Sequence, residues 1–217
     1  MLQLLHHASW MSSFLPAIAA VFHFKKTHPS FYPFLVVLWL GIFNELLTLV
    51  FVKFTGNNGL NGNVYVLLEG LLILWLFKNW GRLQGKIINF QTLLLVFIGT
   101  WVTDNFLLSN IYTSNSIYRF AYSFIIVFLS LHQMNFVIVR ERSTILKNAS
   151  FLICLSFVIF FTYKAIIEVF FVSDAGLSKT FYGRLFHILQ FVNLLCNILY
   201  TIAVLWIQKR LKFILPY

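Results

Sequence analysis

Seven long apolar windows constrain this chain more than any other feature of its sequence. Crossing about 30 Å of hydrocarbon as an α-helix takes roughly 20 mostly apolar residues. The windows lie near 4–24, 31–54, 64–80, 88–108, 116–139, 149–172 and 185–208. The strict alternation over about ten residues that is typical of membrane β-strands is not found in them. The pattern predicts an all-α, polytopic transmembrane bundle of about seven helices that forms a single domain over residues 1–217.

The composition supports lipid as the solvent for most of the chain. Of its 217 residues, 60% are hydrophobic and 10% are charged, whereas soluble proteins carry about 25% charged residues. The first window has no basic segment before it and no small-residue cleavage site, so we expect a membrane helix there, not a signal peptide. Cys154 and Cys196 lie inside windows, where they are expected to act as small hydrophobes.

The basic residues divide unequally between the two sides of the expected bundle. The chain has sixteen Lys and Arg against six Asp and Glu. When the connections alternate in side, eleven bases collect on one side and three on the other. Cytoplasmic loops carry the excess of Lys and Arg, which predicts an outside N-terminus and a cytoplasmic C-terminus in the plasma membrane. Bases in such short loops favour anionic lipid headgroups as partners and argue against nucleic acid.

Six ionisable residues fall within the windows, where they usually mark an ion path, a proton relay or a ligand site. They are Glu45, Glu69, Asp104, Arg119, Lys164 and Glu168. The alternating topology predicts that all six share one level in the outer half of the bilayer. Four acids against two bases leave a charge of −2, which protonation, a charged histidine or a bound cation would relieve. We expect Glu69 and Asp104 to share one pocket.

Helical spacing places some of these residues on common faces. Lys164 and Glu168 are four positions apart, close enough to neutralise each other on one helix. The seventh window carries a polar stripe, in which each residue follows the last by three or four positions: His187, Gln190, Asn193, Asn197 and Thr201. This stripe should face other helices or a cavity. Such side chains also join helices for stability alone, so a purely structural role stays open.

Motifs for catalysis and for cofactor binding are absent from the sequence. Rhodopsins would need a Schiff-base lysine in the last window, which has none. Zinc hydrolases related to ceramidases and adiponectin receptors would need paired histidines, yet His187 is followed four positions later by Phe191. We therefore assign no metal and no cofactor. An acid/base hydrolase acting on lipid headgroups, loosely analogous to lysoplasmalogenases, stays open because it needs only two carboxyl groups.

These observations favour a binding protein over an enzyme, without excluding catalysis. The expected pocket is acid-rich and would bind a small cationic or zwitterionic solute as a sensor, or move it as a transporter, with coupling to protons as one version. A sensor would need a protein partner at the basic loops, because no soluble insertion is long enough to fold alone. A structural subunit of a membrane complex is the third alternative.

Overall fold

Eight α-helices make up most of the chain in the computed structural model, which describes residues 2–85, 89–140, 145–172 and 178–207. The expectation of an all-helical protein is confirmed for these residues, because none of them forms a strand. The helices are α1 (Leu2–Ser12), α2 (Phe14–His23), α3 (Tyr32–Thr55), α4 (Gly59–Asn79), α5 (Phe90–Val102), α6 (Ser116–Arg140), α7 (Ala149–Val172) and α8 (Lys179–Trp206).

Six helical segments of the described chain are long and apolar enough to cross a membrane. They are Pro29–Thr55, Gly59–Asn79, Phe90–Leu108, Ser116–Arg140, Ala149–Val172 and Thr180–Trp206. Large apolar side chains cover their outer faces, and Phe54, Leu107 and Val139 are 79%, 76% and 78% exposed. Hydrocarbon suits such faces, whereas water would not. The chain is therefore a multi-pass, helical membrane protein.

The first apolar window forms two short helices where the sequence predicts one long helix. The break lies at Ser13, between α1 and α2. Its cause is Pro16, because proline has no N–H to donate to the carbonyl of Ser12 and its ring clashes with that carbonyl. The hydroxyl groups of Ser12 and Ser13 turn back to the carbonyls of Ser9 and Trp10, at 2.6 and 2.7 Å.

The helices form a closed ring in which most elements pack against their neighbours in sequence. α3 packs on α4, α4 on α5, α5 on α6, α6 on α7, and α7 on α8. α2 packs on both α3 and α8 and so closes the ring, while α1 packs on α8. α4 also contacts α6 across the ring. Among the six long segments α4 is the most buried, which places its polar side chains in the interior.

The two ends of the bundle differ in character. The end with the connections 56–58 and 109–115 is called the asparagine-rich end, since four of those ten residues are Asn. The opposite end holds the connection 24–31, residues 80–85 after α4 and the start of α7, and is called the basic end. On the basic side of the bundle centre, the ring of Phe157 packs against the rings of Phe34, edge to face, and Phe77, at a tilt. These three rings are buried and form an apolar barrier there.

Candidate functional site

A cavity of about 350 Å³ lies between α1, α2, α3, α4, α7 and α8. Its polar walls comprise Ser9, Ser13, Asn44, Glu45, Tyr65, Glu69, Lys164, Gln190, Asn193, Asn197 and Tyr200. Its aromatic walls comprise Trp10, Phe157, Phe160 and Phe161. The lining segment of α7, from Phe157 to Lys164, occupies the middle of that helix. The cavity therefore lies near mid-depth in the bundle, beside the break between α1 and α2.

Both carboxylate oxygens of Glu69, an acid of the cavity wall, are bonded to neighbouring side chains. It is buried on α4, and Tyr65, one turn earlier on the same helix, donates to its Oε1 at 2.8 Å. Tyr122 of α6 donates to Oε2 at 2.9 Å. Lys164 of α7 contacts the same oxygen at 3.5 Å. Both carboxylate oxygens are thus engaged, which suits an ion-pair partner better than a base that must reach water.

Lys164 joins α7 to α4 and α6 from the cavity wall. Its ammonium group contacts the hydroxyl of Tyr122 as well as Glu69. It also lies over three aromatic rings, at 4.9 Å from the centroid of Tyr122, 5.6 Å from Phe160 and 5.5 Å from Phe161. An ammonium group over aromatic faces is stabilised by their negative π surface. The carboxylate that pairs with Lys164 comes from another helix and not from Glu168, its neighbour on α7.

Asp104, Arg119 and Glu168 form a second cluster nearer the asparagine-rich end. Asp104 Oδ2 accepts the backbone N–H of Tyr118 at 2.8 Å, in the first turn of α6, where N–H groups lack partners within the helix. Arg119 donates to Asn115 Oδ1 at 2.9 Å. Glu168 interacts with the charge of Arg119. One oxygen of Glu168 is buried and has no hydrogen-bond partner within the described residues.

The structure therefore divides the six ionisable residues into two levels where the sequence predicts one. Glu69 occupies the centre of α4, whereas Asp104 lies in a π-helical turn, Thr103–Leu108, that ends the α5 segment. Asp104 is not among the residues that line this cavity with Glu69, so a pocket shared by the two acids stays a prediction. The difference arises because the two acids occupy different heights on their helices. Each cluster contains two acids and one base.

The polar stripe on α8 faces α1 and the cavity. Asn193 donates to Ser9 Oγ at 3.1 Å, and Asn197 donates to Ser12 Oγ at 2.9 Å. Gln190 also lines the cavity. His187 does not line it, but its Nδ1 lies 3.5 Å from Gln190 Oε1. The amides of α8 thus hold the short α1 helix over the cavity.

Three site residues were missed by reasoning from the sequence. Tyr65 and Tyr122 are bonded to Glu69, and Asn63 accepts a hydrogen bond from Arg119 at 3.3 Å. Tyr65 carried a usable signal, because it lies four positions before Glu69 on one helix. Tyr122 also carried a signal, because it follows Arg119 by three positions on one helix. Asn63 carried none, since asparagine occurs in membrane helices as a helix-joining residue.

Within the described chain, no group of three His, Cys, Asp or Glu side chains is placed to hold a metal ion. Comparison with protein-family models, with curated proteins and with solved structures gives no match to this chain.

Proposed function

We propose that this chain is a seven-pass protein of the plasma membrane whose mid-depth cavity binds a small organic cation or zwitterion, as a sensor or as a transporter. The observation that carries the proposal is the cavity wall, where Glu45, Glu69 and Lys164 are the charged residues. Two acids and one base leave one negative charge when all three are ionised. A bound cationic group would balance that charge in a poorly solvated site.

The walls also suit the shape and polarity of such a ligand. A volume of about 350 Å³ falls within the range of small-molecule pockets. Trp10, Phe160 and Phe161 present aromatic rings, which attract alkylated ammonium groups. Gln190 and Asn193 offer amides to the polar part of a zwitterion. Glu45 and Glu69 are the two acids among the lining residues, so we assign the ammonium group of the ligand to the side of the cavity that they line.

The seventh span in this proposal is the broken segment formed by α1 and α2. Together they cover 2–23, which as helix is about 33 Å long and sufficient for the hydrocarbon core. Broken membrane helices are tolerated where the break lines a cavity, and Ser13 does so here. An odd number of spans puts the termini on opposite sides. The excess of bases then assigns the basic end to the cytoplasm and the asparagine-rich end to the outside.

Ligand binding can be tested with purified protein and four small probes of different charge: choline, betaine, acetate and a neutral polyol. We expect choline and betaine to raise the melting temperature and acetate and the polyol to leave it unchanged. Glu45→Gln should abolish the shift caused by choline, because it removes one of the two acidic groups that line the cavity and keeps the side-chain shape. Glu168→Gln removes a buried acid outside the cavity and should retain the shift.

Three results would contradict the proposal. They are an unchanged melting temperature with both choline and betaine, a larger shift with acetate than with choline, or an equal shift with choline in Glu45→Gln and Glu168→Gln. Sensing and transport are separated by proteoliposomes loaded with the probe that binds. A transporter will exchange labelled choline across the membrane, whereas a sensor will bind it without flux.

A further inference from the structure

The connection between α4 and α5 begins with a turn that fixes the position of one arginine. α4 ends at Asn79, and Gly81 follows with a φ of 73°, a left-handed conformation that glycine adopts without strain. The N–H of Gly81 donates to the carbonyl of Lys78 at 2.9 Å, and the N–H of Arg82 donates to the carbonyl of Phe77 at 3.0 Å. These two bonds define a Schellman motif. Arg82 is thereby held against the bundle, and its Nε donates to the carbonyl of Trp80 at 3.2 Å.

Two guanidinium groups share one aromatic ring at this end. The Cζ of Arg82 lies 3.5 Å from the ring centroid of Phe136, and the Cζ of Arg140 lies 5.0 Å from the same centroid. The two positive charges are thus at most 8.5 Å apart. Burial and the charge of Arg140 both lower the pKa of Arg82. The side chain of Arg82 is partly buried and that of Arg140 is exposed, so an anion from solvent or membrane can reach the pair.

Acids of the described chain do not neutralise this pair. Glu45, Glu69, Asp104 and Glu168 belong to the cavity and to the second cluster, on the other side of the apolar barrier formed by Phe34, Phe77 and Phe157. Like charges held close together repel unless an anion lies between them. Guanidinium groups bind phosphate with short, charge-assisted bonds of about 2.8 Å, often two from each arginine. The pair is therefore suited to a single phosphate group.

We infer that Arg82 and Arg140, positioned by Phe136, form a binding site for the phosphate of an anionic lipid headgroup at the basic end. We choose a lipid as the source of the phosphate because the two arginines lie beside the lipid-facing surface of α6. Val139, next to Arg140, is 78% exposed and belongs to the lipid-facing surface of α6. The acyl chains of a lipid whose phosphate is bound here would lie along the lipid-facing surface of α6. This site does not depend on the cavity or its ligand.

The test uses full-length protein in nanodiscs of phosphatidylcholine, with or without phosphatidylglycerol. We expect native mass spectrometry to show phosphatidylglycerol retained on the wild type. Arg82→Gln and Arg140→Gln should each weaken this retention roughly tenfold, since each removes charge-assisted hydrogen bonds. Lys147→Gln is the matched control: it removes one positive charge from an exposed side chain of the same end and should retain the lipid as the wild type does.

Two further experiments distinguish a lipid phosphate from free inorganic phosphate and from a carboxylate of the chain itself. Inorganic phosphate added to phosphatidylcholine nanodiscs should not raise the melting temperature if the site requires a lipid. Glu141 follows Arg140 in the sequence and lies outside the described residues. If an ion pair with Glu141 occupied the arginines, Glu141→Gln would increase lipid retention severalfold, which would overturn the inference. Equal retention in Arg82→Gln, Arg140→Gln and Lys147→Gln would also overturn it.

Discussion

At the scale of single residues, the interior of this protein is organised by hydrogen bonds to one carboxylate. Glu69 receives two phenol hydroxyls and one ammonium group, from three different helices. Each donor would otherwise be a polar group buried without a partner, which costs free energy in a medium that contains little water. The Glu69 cluster thus ties α4, α6 and α7 together at the wall of the cavity.

Replacing Tyr122 with Phe should destabilise the protein by about 1.5–3 kcal/mol, the usual range for a hydrogen bond to a charged group. The change removes the donor to Glu69 and the contact to Lys164 at a fully buried position. Tyr118 is the matched control, because it is stacked on Tyr122 and equally buried, yet its hydroxyl lies 3.5 Å from its acceptor, Val66 O. Tyr118→Phe should cost less than about 0.5 kcal/mol.

Unfolding in detergent, followed by circular dichroism, measures both variants. Equal losses in Tyr118→Phe and Tyr122→Phe would show that ring packing, and not the bond to Glu69, sets the stability at this position.

The partners of these residues were only partly predictable from the sequence. Hydropathy alone identified Glu69 and Lys164 as ionisable groups within membrane helices. The sequence offers Glu168 as one candidate partner of Lys164, because the two residues are four positions apart on one helix. Its actual partner, Glu69, lies 95 positions away and is set by the packing of α4 against its neighbours. The residues next to Lys164 in the sequence do not predict a contact over such a distance along the chain.

At the scale of helices, continuous apolar segments were predicted well and interruptions were not. The bounds of α6 and α7 agree with the windows 116–139 and 149–172 within one residue. Hydropathy averages over about 20 residues, so the break at Ser13 and the π-helical turn at Thr103–Leu108 leave it almost unchanged. Both interruptions adjoin the polar clusters. Pro16 was the available signal for the first, while the second has no known sequence signature in this segment.

The polar face of α8 should be shielded from lipid along its length. Spin labels at Gln190 and Asn193 should have low accessibility to oxygen, because these positions line the cavity. Labels at Phe191 and Ile198, which are 58% and 42% exposed on the same helix, are the lipid-facing controls and should have high accessibility. Power-saturation EPR in liposomes measures the difference. Similar oxygen accessibility at all four positions would mean that α8 is rotated or detached from α1.

At the scale of the whole molecule, the arrangement of helices follows from simple alternation more than from specific contacts. Short connections force neighbours in sequence to pack as antiparallel neighbours in space, which explains most of the ring. The closure of the ring by α2 against α8 was not predictable, because it depends on Pro16 and on amide contacts to α1. The depth of the cavity was predicted as the outer half of the bilayer, whereas its walls lie near the middle of the helices.

The orientation of the bundle yields a labelling prediction in which each end of the molecule controls for the other. Ser114 is exposed at the asparagine-rich end, and Lys147 is exposed at the basic end. A cysteine at position 114 should react with an impermeant maleimide added to intact cells, whereas a cysteine at 147 should react only after permeabilisation. Cys154 and Cys196 are both fully buried and should not react with the maleimide, so neither native cysteine has to be replaced for this experiment.

The result tests the charge rule because no other property of the chain distinguishes its two ends so strongly. Eleven bases on one side against three on the other should hold the basic end in the cytoplasm. A reporter fused after Tyr217 should then be cytoplasmic and a tag before Met1 should be outside, since seven spans place the termini on opposite sides. If both termini lie in the cytoplasm, the broken segment α1–α2 does not cross the membrane. The cavity would then be walled on one side by a helix pair that enters and leaves from the same face.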